Sequence, residues 1–229
     1  MGSMHTHLLF SISIVISLSF AACAQSGVKS HDGIRSPDEI LSRVLARAAE
    51  IGMKLPFEPS ICEWTRPSLI SWRSEKKCVA IPRWSETPPK VQELFGELAS
   101  APGNGSELFN ELFRWFLIPH ELAHAFQEVG QVRSDHAKSE QFANDLAVAY
   151  YVETGSGDRL SALEARLRYA AARLPLDVPA GEDPMEYFNK NYDRLTANPR
   201  RYGAFQFEFM LRSLAQRDSV DFAKLLRSL

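Results

Sequence analysis

Near its middle the chain reads His120-Glu121-Leu122-Ala123-His124. In a helix, residues four apart leave the same face one turn apart, so the two histidine rings can share one metal ion. Glu121 lies beside that face, where its carboxylate can take up a proton. This spacing is typical of catalytic zinc sites, in which the histidines bind the metal and the glutamate acts as general base. The stretch therefore predicts a helix that carries a zinc site.

The residues around this stretch predict a long, deeply buried helix from about Ser106 to Gly130. Its apolar positions recur at intervals of three and four residues. They are Leu108, Phe109, Leu112, Phe113, Phe116 and Leu117. Pro119 lies inside the helix and has no N–H group. It should therefore leave the carbonyl of Trp115 without its usual partner and kink the helix axis just before His120.

A catalytic zinc site usually has three protein ligands and one open position. A histidine six residues after His124 would indicate the metzincin arrangement, but that residue is Gly130. We expect Glu140 to be the third ligand, because it lies sixteen residues after His124, early in the next predicted helix, an order and approximate distance that resemble the gluzincin arrangement of two histidines and a glutamate. Antiparallel packing of the two helices across a short loop would bring it to the metal. Asp135 and His136, in that loop, are the alternative ligands.

Two further residues are expected to support the site. Asn144 lies one turn beyond Glu140 on the same helix face, and a metal-bound histidine needs an acceptor, such as an amide oxygen, for its second ring nitrogen. Because the amide is uncharged, a histidine held by Asn144 should bind the metal more weakly than a histidine held by a carboxylate. A tetrahedral oxyanion also needs a hydrogen-bond donor. We expect Tyr202, which follows two arginines, in this role, with His136 as the second candidate.

The first part of the chain predicts export. Residues 8–22 carry no charge and are mostly apolar, and at about 15 residues they are shorter than the roughly 20 that a membrane span needs. We therefore expect a signal peptide over residues 1–24, or a lipoprotein signal that ends before Cys23 and leaves that cysteine as a lipid anchor. A retained anchor helix is the alternative. A linker over residues 25–35 would then lead to a domain over residues 36–229.

Export changes the meaning of the two later cysteines, Cys62 and Cys78. An oxidising compartment favours a disulfide between them over two free thiols. A pair of buried, unpaired thiols and metal ligation are the alternatives, and the absence of any C-x-x-C spacing disfavours metal ligation. We therefore expect a Cys62–Cys78 disulfide.

The composition and the order of the predicted elements indicate one globular α+β domain. Apolar residues make up 45% and charged residues 24% of the chain, and the net charge of −2 comes without a basic stripe, so no nucleic-acid partner is expected. Short β-like runs over 60–64, 69–73 and 78–82, with a turn at 74–76, predict a small antiparallel sheet before the zinc-binding helix. The rest is mainly helical. Helix starts are predicted at Ser36, Asp183 and Asn198, each of which is followed by proline.

The chain resembles exported bacterial metallopeptidases of the gluzincin group, in which two histidines of an H-E-x-x-H helix and a downstream glutamate bind zinc. The resemblance covers about residues 62–151. It lies in Cys62, in the runs over 71–78, 120–125 and 140–144, and in their order along the chain. It implies a zincin-like domain that binds zinc through the two histidines and Glu140. Asn144 departs from the family pattern, which commonly has aspartate there, and Ala123 stands where glycine is frequent.

We therefore expect an exported zinc-dependent metallopeptidase in which Glu121 activates the attacking water. It would lie in the periplasm, at the membrane as a lipoprotein anchored through Cys23, or outside the cell. Its partner would be a peptide or protein substrate, and the sequence predicts no oligomeric state. Two alternatives stay open. One is a non-catalytic envelope protein that keeps the zinc-binding scaffold to bind a partner, and the other is a zinc amidase that acts on the cell wall.

Overall fold

The computed structural model describes residues 36–64, 69–101 and 103–229, so the predicted signal peptide, Cys23 and the linker over 25–35 lie outside the described residues. Within these ranges the chain forms ten α-helices and three β-strands. In chain order they are α1 (Pro37–Glu50), β1 (Ser60–Glu63), β2 (Ser71–Arg73), β3 (Cys78–Ile81), α2 (Pro89–Leu98), α3 (Gly105–Glu111), α4 (Leu117–Val129), α5 (His136–Glu153), α6 (Gly157–Ala171), α7 (Pro184–Lys190), α8 (Tyr192–Thr196), α9 (Pro199–Ala215) and α10 (Phe222–Arg227). None of these helices combines the length and apolar character that a membrane span requires.

The helix starts that the sequence predicted at serine, aspartate and asparagine are present. Each of these three helices has a capping side chain that accepts a hydrogen bond from the backbone N–H groups of its first turn. The caps are Ser36 for α1, Asp183 for α7 and Asn198 for α9. A proline follows each of them, as is common where its missing N–H would have no helical partner anyway. The chain is mostly helical with one small sheet, which is compatible with the predicted α+β class.

The three strands form a mixed sheet in the order β1-β3-β2. The central strand β3 is fully buried, and it pairs in parallel with β1 and antiparallel with β2. The expectation of an antiparallel sheet is therefore wrong for one of the two pairings. A tight turn joins β2 directly to β3, so these two strands run antiparallel. The connection from β1 to β3 is longer and includes β2, and a connection of this kind allows β3 to run parallel to β1.

Cys62 and Cys78 form the predicted disulfide, with their Cα atoms 5.9 Å apart. It joins β1 to β3, and residue 62 lies opposite Ala80 in the parallel register. The bond therefore links the edge strand β1 covalently to the central strand β3.

The perturbation expected at Pro119 takes the form of a π-helical segment, Leu112–Phe116, between α3 and α4. Such segments insert an extra residue into a helix and are frequent near functional sites. The Trp115 carbonyl, which the proline cannot serve, accepts a hydrogen bond from the Tyr151 hydroxyl at 2.6 Å. Both side chains are fully buried. The Tyr151 hydroxyl of α5 thus replaces the helical hydrogen bond that Pro119 cannot donate to the Trp115 carbonyl.

Replacing Tyr151 by phenylalanine should lower the free energy of unfolding by about 1–2 kcal/mol, because a buried carbonyl loses a hydrogen bond. Tyr150 is a matched control. Its hydroxyl is buried and has no hydrogen-bond partner in the described part of the chain, so Tyr150→Phe should be neutral or stabilising. Urea unfolding of both variants measures the difference. Equal losses would contradict the role given to the Tyr151 hydroxyl.

The core is centred on α5, which packs against both α4 and α9. Its second half, residues 146–151, is entirely buried and apolar apart from the two tyrosine hydroxyls. Its first half instead buries two polar side chains, Glu140 and Asn144. Buried polar groups need partners, so this part of α5 marks the place where chemistry is expected.

Candidate metal site

The three predicted metal ligands come together in the structure. His120 and His124 leave one face of α4, and their Nε2 atoms lie 3.2 Å apart. Glu140, from the first half of α5, places its Oε2 atom 3.3 Å from His120 Nε2 and 3.9 Å from His124 Nε2. His120 and Glu140 are buried and His124 is partly exposed.

These separations fit a single metal ion. Zn–N and Zn–O bonds of about 2.0–2.2 Å place the ligand atoms of a tetrahedral site about 3.3–3.6 Å apart. Two of the three observed distances agree with this range or lie just below it, and the distance between His124 and Glu140 is slightly longer. The group of His120, His124 and Glu140 could therefore hold a metal ion.

The two alternative ligands lie outside this group. Asp135 caps α5, where its side chain accepts a hydrogen bond from the backbone N–H of Lys138 at 2.8 Å. The ring of His136 stacks on that of Tyr192, with centroids 3.7 Å apart and planes 6° from parallel. Each therefore has a different structural role in the described residues.

The carboxylate of Glu140 uses its two oxygens differently. Oε2 faces the histidines, and Oε1 accepts a hydrogen bond from the Tyr202 hydroxyl at 3.2 Å. Burial raises the pKa of Glu140, but the hydrogen bond with His120 and the nearby histidine charges outweigh burial and lower it to about 2. Glu140 is therefore ionised, as a metal ligand has to be.

Glu121 has the opposite electrostatic setting. It is buried on α4, and its Oε2 accepts a hydrogen bond of 2.6 Å from the backbone N–H of Trp72 in β2. Burial raises the pKa of Glu121 to about 7, because it outweighs the nearby charge of His124. A carboxylate with this pKa can both accept and return a proton near neutral pH.

The second ring nitrogen of His124 is held by a residue that the sequence analysis missed. His124 Nδ1 lies 2.9 Å from Gln127 Oε1, and the Ser139 hydroxyl donates to the same oxygen at 3.0 Å. A proton on Nδ1 leaves Nε2 free to bind metal. The signal was present, since Gln127 lies three residues after His124 on the next turn.

Asn144 is fully buried beside the site. Its Nδ2 group donates to the Glu140 carbonyl at 2.9 Å. Its Oδ1 atom, an acceptor, has no hydrogen-bond partner among the described residues, and neither has His120 Nδ1, which can donate. The predicted contact between Asn144 and a metal-binding histidine therefore stays a prediction.

The structure brings Tyr202 into the site but directs its hydroxyl to Glu140. Burial and the Glu140 carboxylate hold the pKa of the Tyr202 phenol well above its usual value, so the hydroxyl keeps its proton and donates. Tyr192, which the sequence analysis did not select, lies beside it with ring centroids 6.4 Å apart. The oxyanion role of Tyr202 or His136 stays a prediction, and the observed contact of Tyr202 is with Glu140, one of the three candidate ligands.

The strand β2 is attached to α4 at two points. One is the bond from the Trp72 backbone to Glu121. The other is Glu128, whose carboxylate accepts from the Trp72 indole N–H at 2.7 Å and from the Ser74 hydroxyl at 2.5 Å. These bonds lower the pKa of Glu128. The sheet edge is thereby held over the H-E-x-x-H helix.

A cavity of about 510 Å³ opens beside His120, His124 and Glu140, the candidate metal-binding group. It reaches from β2 and α4 towards α2 and α9. Most of its lining is apolar: Leu69, Ile70, Trp72, Leu94, Phe95, Leu98, Leu112, Phe113, Leu117, Leu174, Pro199, Phe207 and Met210. Its volume lies within the range of ligand-binding cavities, roughly 300–1,000 Å³.

Comparison of the chain with protein-family models, curated proteins and solved structures gives no match. The function of the site is therefore inferred from its own residues and their geometry.

Proposed function

We propose that the protein is an exported zinc peptidase with a zincin-like domain and a gluzincin-type site. One observation carries the proposal: three side chains that could hold a metal ion lie beside Glu121, a buried carboxylate that accepts a hydrogen bond from the Trp72 backbone N–H. Two imidazoles and one carboxylate suit zinc and leave one position for a further ligand. His120, His124 and Glu140 would hold the ion.

A zinc ion held there would act as a Lewis acid toward the peptide carbonyl and would lower the pKa of a water molecule to about 7. Glu121 takes a proton from the attacking water and then donates it to the nitrogen of the leaving amine. The Trp72 N–H fixes the carboxylate of Glu121 in place for both transfers. The reaction needs no covalent intermediate with the protein.

The other residues of the site orient the ligands. Gln127 holds His124 through its second ring nitrogen, and Tyr202 holds the oxygen of Glu140 that faces away from the histidines. Such contacts fix the direction of a ligand and typically change metal affinity or activity 10- to 100-fold when they are removed.

Two features support export. The disulfide between Cys62 and Cys78 is compatible with an oxidising compartment. The uncharged, apolar stretch over residues 8–22 has the character of a signal peptide. We therefore place the peptidase outside the cytoplasm, either released or anchored through Cys23.

A non-catalytic, metal-binding envelope protein is the second candidate. It is favoured by the Tyr202 hydroxyl, which is directed to Glu140, and by the uncharged Asn144 beside the ligands. A zinc-loaded protein that hydrolyses neither a broad peptide library nor cell-wall fragments would support this candidate over the peptidase.

Metal content tests the proposal directly. Protein purified from cells that express the full chain should contain about one zinc per chain by mass spectrometry. His120→Ala should lose the zinc, because only two of the three protein ligands remain. His136→Ala is the matched control, since that ring stacks on Tyr192 and should leave the zinc content unchanged.

Wild-type protein that stays metal-free after dialysis against zinc would overturn the proposal. Equal loss of zinc in the His120 and His136 variants would show that the ligand set is wrong.

A further inference from the structure

The cavity beside the candidate metal-binding group is mainly apolar, and its uncharged polar lining includes Ser71, Ser139, Thr196 and Gln206. Its titratable lining residues are His120, Glu121, His124, His136, Glu140, Tyr192 and Tyr202. Among the described residues that line it, none is a lysine, an arginine or an aspartate. The walls from α2, from the π-helical segment and from the start of α4 are wholly apolar, whereas α9 adds the amide of Gln206 to its apolar side chains. A charged side chain placed against the apolar walls would lose its hydration without a charged partner there.

The size of the cavity bounds what it can admit. Its volume of about 510 Å³ lies in the middle of the range of roughly 300–1,000 Å³ for cavities that hold drug-sized ligands, which are much larger than a single phenylalanine side chain. The cavity therefore has room for the peptide backbone beside the catalytic carboxylate and for a bulky apolar group further in.

Gly203 contributes to this space. It lies inside α9, where glycine is less favourable than alanine by about 0.5–1 kcal/mol. A Cβ atom built at Gly203 would meet only Leu174 Cδ2, at 3.7 Å, which is an ordinary contact. Gly203 and Leu174 both line the cavity. Neither packing nor backbone conformation explains this glycine, and a side chain here would occupy the cavity.

We propose that Gly203 keeps the inner part of the cavity open and that the cavity binds a large, uncharged apolar group of the substrate next to the scissile bond. This inference rests on the proposed peptidase function for the identity of the substrate. The binding of an apolar group rests on the cavity alone. Full burial of one large apolar side chain should favour a substrate about 10- to 100-fold over its alanine counterpart.

The first experiment measures kcat/KM for peptides that differ only in one residue beside the scissile bond, which is phenylalanine, alanine or lysine. We expect wild type to prefer phenylalanine over alanine about 10- to 100-fold and to cleave the lysine peptide least. Gly203→Leu should reduce the preference for phenylalanine to a few-fold. Gly96→Leu makes the same change on the exposed face of α2, where an added Cβ meets nothing within 4 Å, and should behave as wild type.

The second experiment measures binding without catalysis. Calorimetry should detect binding of the neutral peptide benzyloxycarbonyl-Phe-Leu-amide to zinc-free wild type and to Gly96→Leu. Gly203→Leu should bind it at least about tenfold more weakly. Gly203→Ala guards against misfolding of the leucine variant. It should melt at a higher temperature than wild type and show a smaller loss of affinity.

The two proposals fail in different ways. Hydrolysis without any preference for the phenylalanine peptide would overturn the cavity assignment and leave the peptidase intact. Binding of the neutral peptide that Gly203→Leu weakens, in a protein without hydrolytic activity, would overturn the peptidase and support the cavity assignment. Absence of both hydrolysis and binding would overturn both.

Discussion

Replacement of Glu121 by glutamine should lower kcat for peptide hydrolysis by about 10²- to 10⁴-fold while the protein keeps its zinc. The amide has the shape of the carboxylate and can still accept the hydrogen bond from the Trp72 backbone. It cannot accept a proton from water. Initial rates with one peptide, together with metal analysis of the same samples, measure the two effects separately.

Glu128 provides the matched control on the same helix. Its carboxylate also contacts Trp72, but it is exposed and does not line the cavity. Glu128→Gln should therefore reduce kcat by no more than about tenfold, through a looser attachment of β2. If both variants lost activity equally, the role of Glu121 would be to position β2, and the assignment of the proton transfer would be wrong.

Removal of the disulfide by the double substitution Cys62→Ala and Cys78→Ala should lower the free energy of unfolding by about 3 kcal/mol. The two cysteines are 16 residues apart. Without the bond, the unfolded chain gains the conformational entropy of a loop of this size, which lowers the free energy of unfolding by about 3 kcal/mol. Equilibrium unfolding in urea under non-reducing conditions measures the loss.

The reduced wild type serves as the control for that measurement. Dithiothreitol should lower the stability of wild type to about that of the double variant and leave the double variant unchanged. Equal stability of the double variant and the oxidised wild type would mean that the bond does not restrict the unfolded chain.

The parts of the fold that the sequence predicted are those encoded over short distances. Caps followed by proline predict helix starts because both act within one turn, and Ser36, Asp183 and Asn198 are all caps in the structure. The two histidines meet because residues four apart share a helix face. Glu140 reaches them because the loop between α4 and α5 is short.

The parts that the sequence did not predict depend on long-range contacts. The parallel pairing of β1 with β3 follows from the path of the chain between them, and strands of four residues carry too little pattern to indicate it. The backbone N–H of Trp72 holds Glu121, and a backbone contact leaves no pattern of side chains from which it could be predicted. Glu128 meets Trp72 across 56 residues of sequence.

The hydrogen bond from Tyr151 to the Trp115 carbonyl also opposes sliding of α5 along the helical segment that leads into α4. Sliding by a single residue would displace Glu140 by about 1.5 Å along the helix axis, whereas metal–ligand distances tolerate about 0.2 Å. The carbonyl is open to a partner from another helix because Pro119 has no N–H to offer it. The proline just before the first histidine thus contributes to the axial register in which Glu140 of the neighbouring helix meets the two histidines.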